Sequence, residues 1–306
     1  MKKLSKLFAL VVAGALVTGA LSGCGAKEAV DSSAKDDVAA SEVKGGGTAD
    51  NETTAQSGDA AQEPVTVKLG VVGENNETWA VISEILAEEN INLELVKFAD
   101  YSLPNQALAD GEIDLNSFQH YAYLNNEIAE KGLDLTVIGD TIIAPLGLYS
   151  DKITDISQLK DGDLIAIPSD ATNGGRSLKV LETAGLITVD PAAGYVPTLS
   201  DIVENPLNLE FIEVEAANTA SLLPDVAAAI INGGHAVDNG FSPAQDAIYL
   251  EPVVEGAENP YINVIVARTE DKDNEVYKRI VEVYQTEEIA AVIEDTYKGS
   301  YIPAWK

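Results

Sequence analysis

The chain is poor in the residues on which most catalytic and metal chemistry depends. Its 306 residues include one Cys, two His and one Met, and only three of its basic side chains are Arg. A single Cys excludes an intramolecular disulfide, and a structural zinc site needs more Cys or His than this chain has. Two His, His120 and His235, are too few for a His-built transition-metal site. The GxSxG elbow, the HExxH helix and the phosphate-cradling GxxxxGK[ST] loop are all missing from the sequence. Basic residues are scarce too: 19 Lys and Arg stand against 50 Asp and Glu, a formal charge of −31. So negative a surface repels phosphate backbones and anionic headgroups, which excludes nucleic acid and electrostatic membrane docking as partners.

Long hydrophobic runs are also lacking. The one candidate, Leu7 to Ala20, follows Lys2, Lys3 and Lys6 and is too short for a comfortable bilayer span. It leads directly into Leu21-Ser22-Gly23-Cys24. An apolar residue, two small ones and a Cys closing a signal peptide resemble the bacterial lipobox, so residues 1–23 read as a signal and Cys24 as the lipidated mature N-terminus. Two or three acyl chains, at about 0.8 kcal/mol per buried methylene, would hold the protein to a membrane without a spanning helix. From Gly25 to Glu63 there is no aromatic residue, no Ile and no Leu. Such a segment cannot bury enough apolar area to offset its ordering entropy, so residues 24–63 read as an acidic disordered tether.

What remains, residues 64–306, alternates strand and helix. Expected strands are Val65–Val72, Ile91–Phe98, Ile113–Asn116, Leu135–Ile138, Ile142–Tyr149, Leu164–Ile167, Leu207–Val214 and Tyr261–Ala267. Expected helices are Glu77–Glu89, Leu103–Ala109, Tyr121–Lys131 with Gly132 as its C-cap, Gly175–Thr183, Asp225–Ile231, Asn274–Tyr284 and Glu287–Tyr297. This pattern predicts an α/β fold with mostly parallel sheets, large enough for two lobes. Ligands of such sheets sit beyond the carboxyl ends of the strands.

Two segments after strands draw attention. Asp170-Ala171-Thr172-Asn173-Gly174-Gly175 leads into a helix with Arg176 in its expected first turn. A cation there opposes the helix dipole unless an anion binds at the same terminus. Arg176 reads either as an anion site or as a solvated side chain beside a helix capped by Asn173. The second segment, Asn116 to Tyr123, gathers Phe118, His120, Tyr121 and Tyr123 in a chain that is 6% aromatic. Core packing and an aromatic box around an apolar ligand group both fit it, and Tyr101 could form a further wall.

These residues carry a resemblance. Lys97-Phe98-Ala99-Asp100-Tyr101, Phe118-Gln119-His120, Thr172-Asn173-Gly174-Gly175-Arg176-Ser177-Leu178, Val203-Glu204-Asn205-Pro206, Ala229-Ile230-Ile231-Asn232 and Asn259-Pro260-Tyr261-Ile262-Asn263 follow one another as in the methionine-binding lipoproteins of ABC importers. The resemblance spans residues 65–306. It implies a two-lobed periplasmic-binding-protein-like fold: residues 64–147 plus 248–306 as one lobe, 148–247 as the other, and two crossing strands as a hinge. It further implies an extracytoplasmic, membrane-anchored binding protein, not an enzyme and with no cofactor or metal, that hands methionine to an ABC permease and its ATPase. Arg176, helped by Asn173, would hold the ligand carboxylate and Asn232 its ammonium. Tyr101, Phe118, His120 and Tyr123 would line the side-chain pocket. The alternatives are a methionine-containing dipeptide, another apolar amino acid, or a surface enzyme or interaction protein no longer serving transport. The first loop, Gly73 to Trp79, is unusually polar for this family and could reach the ligand.

Overall fold

The structure is a computed structural model that describes residues 63–253 and 259–305. The lipobox, Cys24 and all but the last residue of the expected tether lie outside the described residues. In chain order the strands are β1 Val65–Val72, β2 Ile91–Phe98, β3 Leu115–Asn116, β4 Leu135–Ile143, β5 Gly147–Tyr149, β6 Leu164–Pro168, β7 Thr188–Val189, β8 Ile202–Glu204, β9 Glu210–Val214, β10 Ala228–Ile231, β11 Tyr249–Leu250, β12 Ile262–Arg268 and β13 Ile302–Pro303. The helices are α1 Glu77–Ala87, α2 Pro104–Ala109, α3 Tyr121–Lys131, α4 Ala171–Thr183, α5 Gly233–Asp238, α6 Pro243–Asp246, α7 Glu275–Tyr284 and α8 Glu287–Tyr297.

Two main sheets result, one in the order β13-β4-β12-β3-β1-β2 and the other β11-β5-β10-β6-β9. Each is covered on both faces, and strand alternation divides the side chains between them. In β12, Val264 and Val266 pack with Leu108, Ile113 and Leu124, while Ile265 and Ala267 pack with Ile82, Ile280, Ile289 and Ile293 on the other side. In β10, Ala228 and Ile230 face Leu178 and Leu181, while Ala229 and Ile231 face Tyr149, Leu223 and Val226.

The sheets are mixed, not mostly parallel as expected. Strands β1–β2, β1–β3, β6–β9 and β6–β10 run parallel, each member of a pair separated by helical connections. The pairs formed by β4, β5, β11, β12 and β13 are antiparallel. The reason lies in the crossings. The chain leaves the first sheet after β4 and enters the second at β5 across Ala144-Pro145-Leu146, and it returns between β11 and β12. Strands that shuttle between sheets without a covering helix pair antiparallel.

The expected helix over Asp225–Ile231 is a second correction. Residues 228–231 form β10, all four fully buried. Two alanines favour a helix locally, but a position at the centre of a sheet rewards a run that is apolar on both faces.

Candidate functional site

Helix α4 begins four residues earlier than its glycines suggest. Asp170 is its N-cap, accepting from the Asn173 amide at 2.9 Å. Arg176 therefore lies in the second turn, and Asn173 is not the cap. The guanidinium is 2% exposed, so the solvated-arginine reading falls. Its Nε donates to Glu251 Oε1 at 2.8 Å and its Nη2 to Glu251 Oε2 and, at 3.1 Å, to the Ala144 carbonyl. Glu251 follows β11 and also accepts from the Leu146 amide at 2.9 Å, so both crossings between the sheets meet at this pair. The Tyr261 ring covers the guanidinium carbon at 4.2 Å. Only Nη1 is left without a hydrogen-bond partner among the described residues.

Asn173 is a relay between the sheets. Its amide nitrogen donates to Asp170, and its oxygen accepts from Asn232 Nδ2 at 2.8 Å and lies 3.3 Å from His120 Nε2. Asn232, at the end of β10, keeps a buried Oδ1 with no hydrogen-bond partner among the described residues. Such an acceptor is costly unless something donates to it.

His120 is fixed from below and behind. It caps α3, its Nδ1 accepting from the Tyr123 amide at 3.1 Å. Nδ1 is thus unprotonated, and in the neutral ring Nε2 carries the hydrogen that points at Asn173. Burial, reinforced by the nearby Arg176 charge, pushes its pKa down to about 3, so the ring is neutral under ordinary conditions. Beneath it Asn105, Asn116 and Gln119, all buried, bond one another through all six of their side-chain amide atoms and hold the turn that presents Phe118 and His120. The rings of Tyr101, Phe118 and Tyr123 form a triangle with centroid separations of 5.8–6.0 Å. The Tyr123 hydroxyl donates to the Tyr101 carbonyl at 3.0 Å.

All seven ligand-site residues expected from the sequence, Tyr101, Phe118, His120, Tyr123, Asn173, Arg176 and Asn232, line one cavity of about 130 Å³. A single water needs about 10–15 Å³ in the same measure, so the space suits a small molecule. The cavity also takes in Asn75, Asn76, His235, Asp238 and Asn263. The His235 ring packs against Tyr101, tilted by 36° with 4.8 Å between centroids. Asn75 and Asn76 belong to the polar first loop expected to reach the ligand, whereas sequence reasoning assigned no role to His235, Asp238, Asn263 or Glu251. Asn263 sat inside a matched motif, and His235 was one of two histidines, but no single carboxylate stands out among 50. The cavity holds one arginine, a neutral imidazole, amides and aromatic faces: donors and acceptors for a small polar head, and an apolar wall beside them. Among the described residues no group of three or more His, Cys, Asp or Glu is arranged to hold a metal ion.

Two mixed α/β sheets joined by crossing segments, with a buried polar and aromatic cavity lined from both, define the architecture of a solute-binding protein. The chain belongs to the NlpA lipoprotein family, whose model matches residues 67–305. It is 39% identical over 255 residues to the D-methionine-binding lipoprotein MetQ of Salmonella typhimurium, covering 82% of this chain and 93% of that one. Among solved structures, a nutrient binding protein from Burkholderia cenocepacia bound to methionine is 37% identical with a TM-score of 0.74, covering 78% of this chain and 99% of that one. The methionine binding protein MetQ is 38% identical with a TM-score of 0.75, covering 79% and 98%.

Proposed function

We propose that this chain is a substrate-binding lipoprotein that captures methionine outside the cytoplasm and delivers it to an ABC permease energised by its ATPase. Cys24 carries the lipid that anchors it. Lobes of residues 64–147 plus 248–306 and 148–247 close on the ligand, and no chemistry is performed on it. The observation that carries the reading is the convergence around one cavity of Arg176, whose Nε and Nη2 but not Nη1 bond described residues, of one unpartnered acceptor on Asn232, and of an aromatic triangle. A free amino acid supplies the complement of each: a carboxylate for Arg176 Nη1, an ammonium for Asn232 Oδ1, and a side chain for the rings. Asn173 serves by holding His120 and Asn232, since its own amide atoms are already engaged. A thioether suits Tyr101, Phe118, Tyr123 and the neutral His120, because sulfur–aromatic contacts contribute about 0.3–1.5 kcal/mol each.

Composition offers a direct test. The only Met is Met1, which leaves with the signal, so the mature protein contains no methionine. Amino-acid analysis of mature protein, made without an initiator Met and purified natively, should report close to one equivalent. After unfolding, dialysis and refolding it should report none. A different small molecule released in stoichiometric amount would reject the assigned ligand.

A further inference from the structure

The polar loop after β1 closes over the cavity, and what holds it there comes from the opposite sheet. Asp238 ends α5, which follows β10. Its Oδ1 accepts from the Glu74 amide at 3.1 Å, the Asn75 amide at 2.9 Å and the Asn75 side-chain nitrogen at 2.8 Å. On its own side the loop is already stiff. The Gly73 amide donates to Phe98 O at 3.1 Å, Asn76 Nδ2 to Gly73 O at 3.1 Å, and Lys97 Nζ to the Glu74 carboxylate at 2.6 Å. Gly73 adopts φ +85°, and a Cβ there would lie 1.9 Å from Asp238 Oδ2. The backbone therefore approaches the carboxylate as only glycine allows. Asn75, Asn76 and Asp238 all line the cavity.

We propose that Asp238 is a positioning residue that clasps loop 73–76 as a lid over the cavity and so sets how long the ligand stays. This rests on the binding-protein reading above. Three N–H donors converge on one carboxylate oxygen, and hydrogen bonds to a carboxylate are stronger than those between neutral groups. Because the loop is braced to β2 by Lys97 and Phe98, it moves with the first sheet, and the clasp is a tie between the sheets and not a local turn. Breaking it leaves the ligand contacts of Arg176, Asn232 and the rings in place. Opening becomes easier, so the loss falls on the dissociation rate and not on the chemistry of recognition.

The test uses the mature protein with L-methionine, followed by fluorescence from Trp79, which lines the cavity. Asp238→Ala should release methionine about tenfold or more faster with little change in association rate, the behaviour expected when affinity differences reside in dissociation. Asp238→Asn, which keeps an acceptor, should fall between. Gly73→Ala should match Asp238→Ala from the other side of the contact. Amide hydrogen exchange at Glu74 and Asn75, read without ligand, should quicken in Asp238→Ala while the β1 amides stay protected. Dissociation within twofold of wild type in a folded Asp238→Ala protein would overturn the proposal, as would unchanged exchange at residues 74 and 75. Wild-type protein that binds no methionine would instead reject the ligand assignment, and the exchange measurement would then decide the clasp alone.

Discussion

His120 does its work uncharged. Its pKa is held near 3, against about 6.5 in an unfolded chain, by burial first and the Arg176 charge second. Between those values the unfolded chain binds a proton that the folded one refuses, so stability rises with pH across that window. It is fully present above about pH 6.5 and is lost as pH falls toward 3. Burial lowers the pKa of His235 as well, in the same direction. Thermal midpoints should be flat above pH 7 and drop between pH 6.5 and 5. His120→Gln should flatten part of that drop, and an unaltered slope would show that the imidazole is not held neutral.

Arg176 and Glu251 act as one unit. If Arg176 holds the ligand carboxylate as proposed, removing the cation should weaken binding by about 2–5 kcal/mol, roughly 30- to several-thousand-fold. Arg176→Ala also strands a carboxylate that is only 14% exposed, so the unliganded protein should lose stability too, by about 3–5 kcal/mol. Calorimetry and a denaturation curve on the same sample check both. The arginine was legible because the chain has three of them and one stands beside a glycine-rich turn. Its partner was not, because it lies 75 residues away in sequence among carboxylates with nothing to single it out.

Strand β10 shows what local pattern alone can miss. Four apolar residues with two alanines read as a helix; between β5 and β6 they are a strand with no exposed face. Ile230→Ala should cost about 2–5 kcal/mol, as a methyl-rich side chain leaves a cavity on one face of a sheet covered on both sides. Ile212→Ala, on edge strand β9 and 38% exposed, should stay within about 0.5 kcal/mol of neutral. Equal losses in urea denaturation would contradict the assigned strand order. The start of α4 was misplaced for a related reason. Asn173 and the glycines read as a terminus because of what they are, whereas Asp170 caps the helix because strand β6 ends at Pro168 and the chain turns there. Helices with a clear apolar stripe or a glycine cap, such as α1, α3 and α8, begin and end close to where their sequences place them, since for them local propensity and packing agree.

If Cys24 bears lipid, wild-type protein should partition into detergent and Cys24→Ser should not; equal partitioning would remove the anchor. If the lobes close on the ligand, small-angle scattering should show a smaller radius of gyration when methionine is added to stripped protein. Room for more than one sheet was readable from the length of the folded part, whereas the crossing chain was implied only by the family resemblance and not by any local pattern. The mixed sheet direction was not, because pairing across a crossing depends on where the chain returns.

Recognition of a free methionine by one arginine nitrogen, one asparagine oxygen and three aromatic rings is the step on which the proposed function depends. Titration calorimetry of unfolded, dialysed and refolded mature protein tests it most directly. A saturable single-site isotherm with L-methionine is expected, abolished or weakened at least about 30-fold by Arg176→Ala. Folded protein that gives no binding heat with either L- or D-methionine, or an Arg176→Ala protein that binds as tightly as wild type, would contradict it.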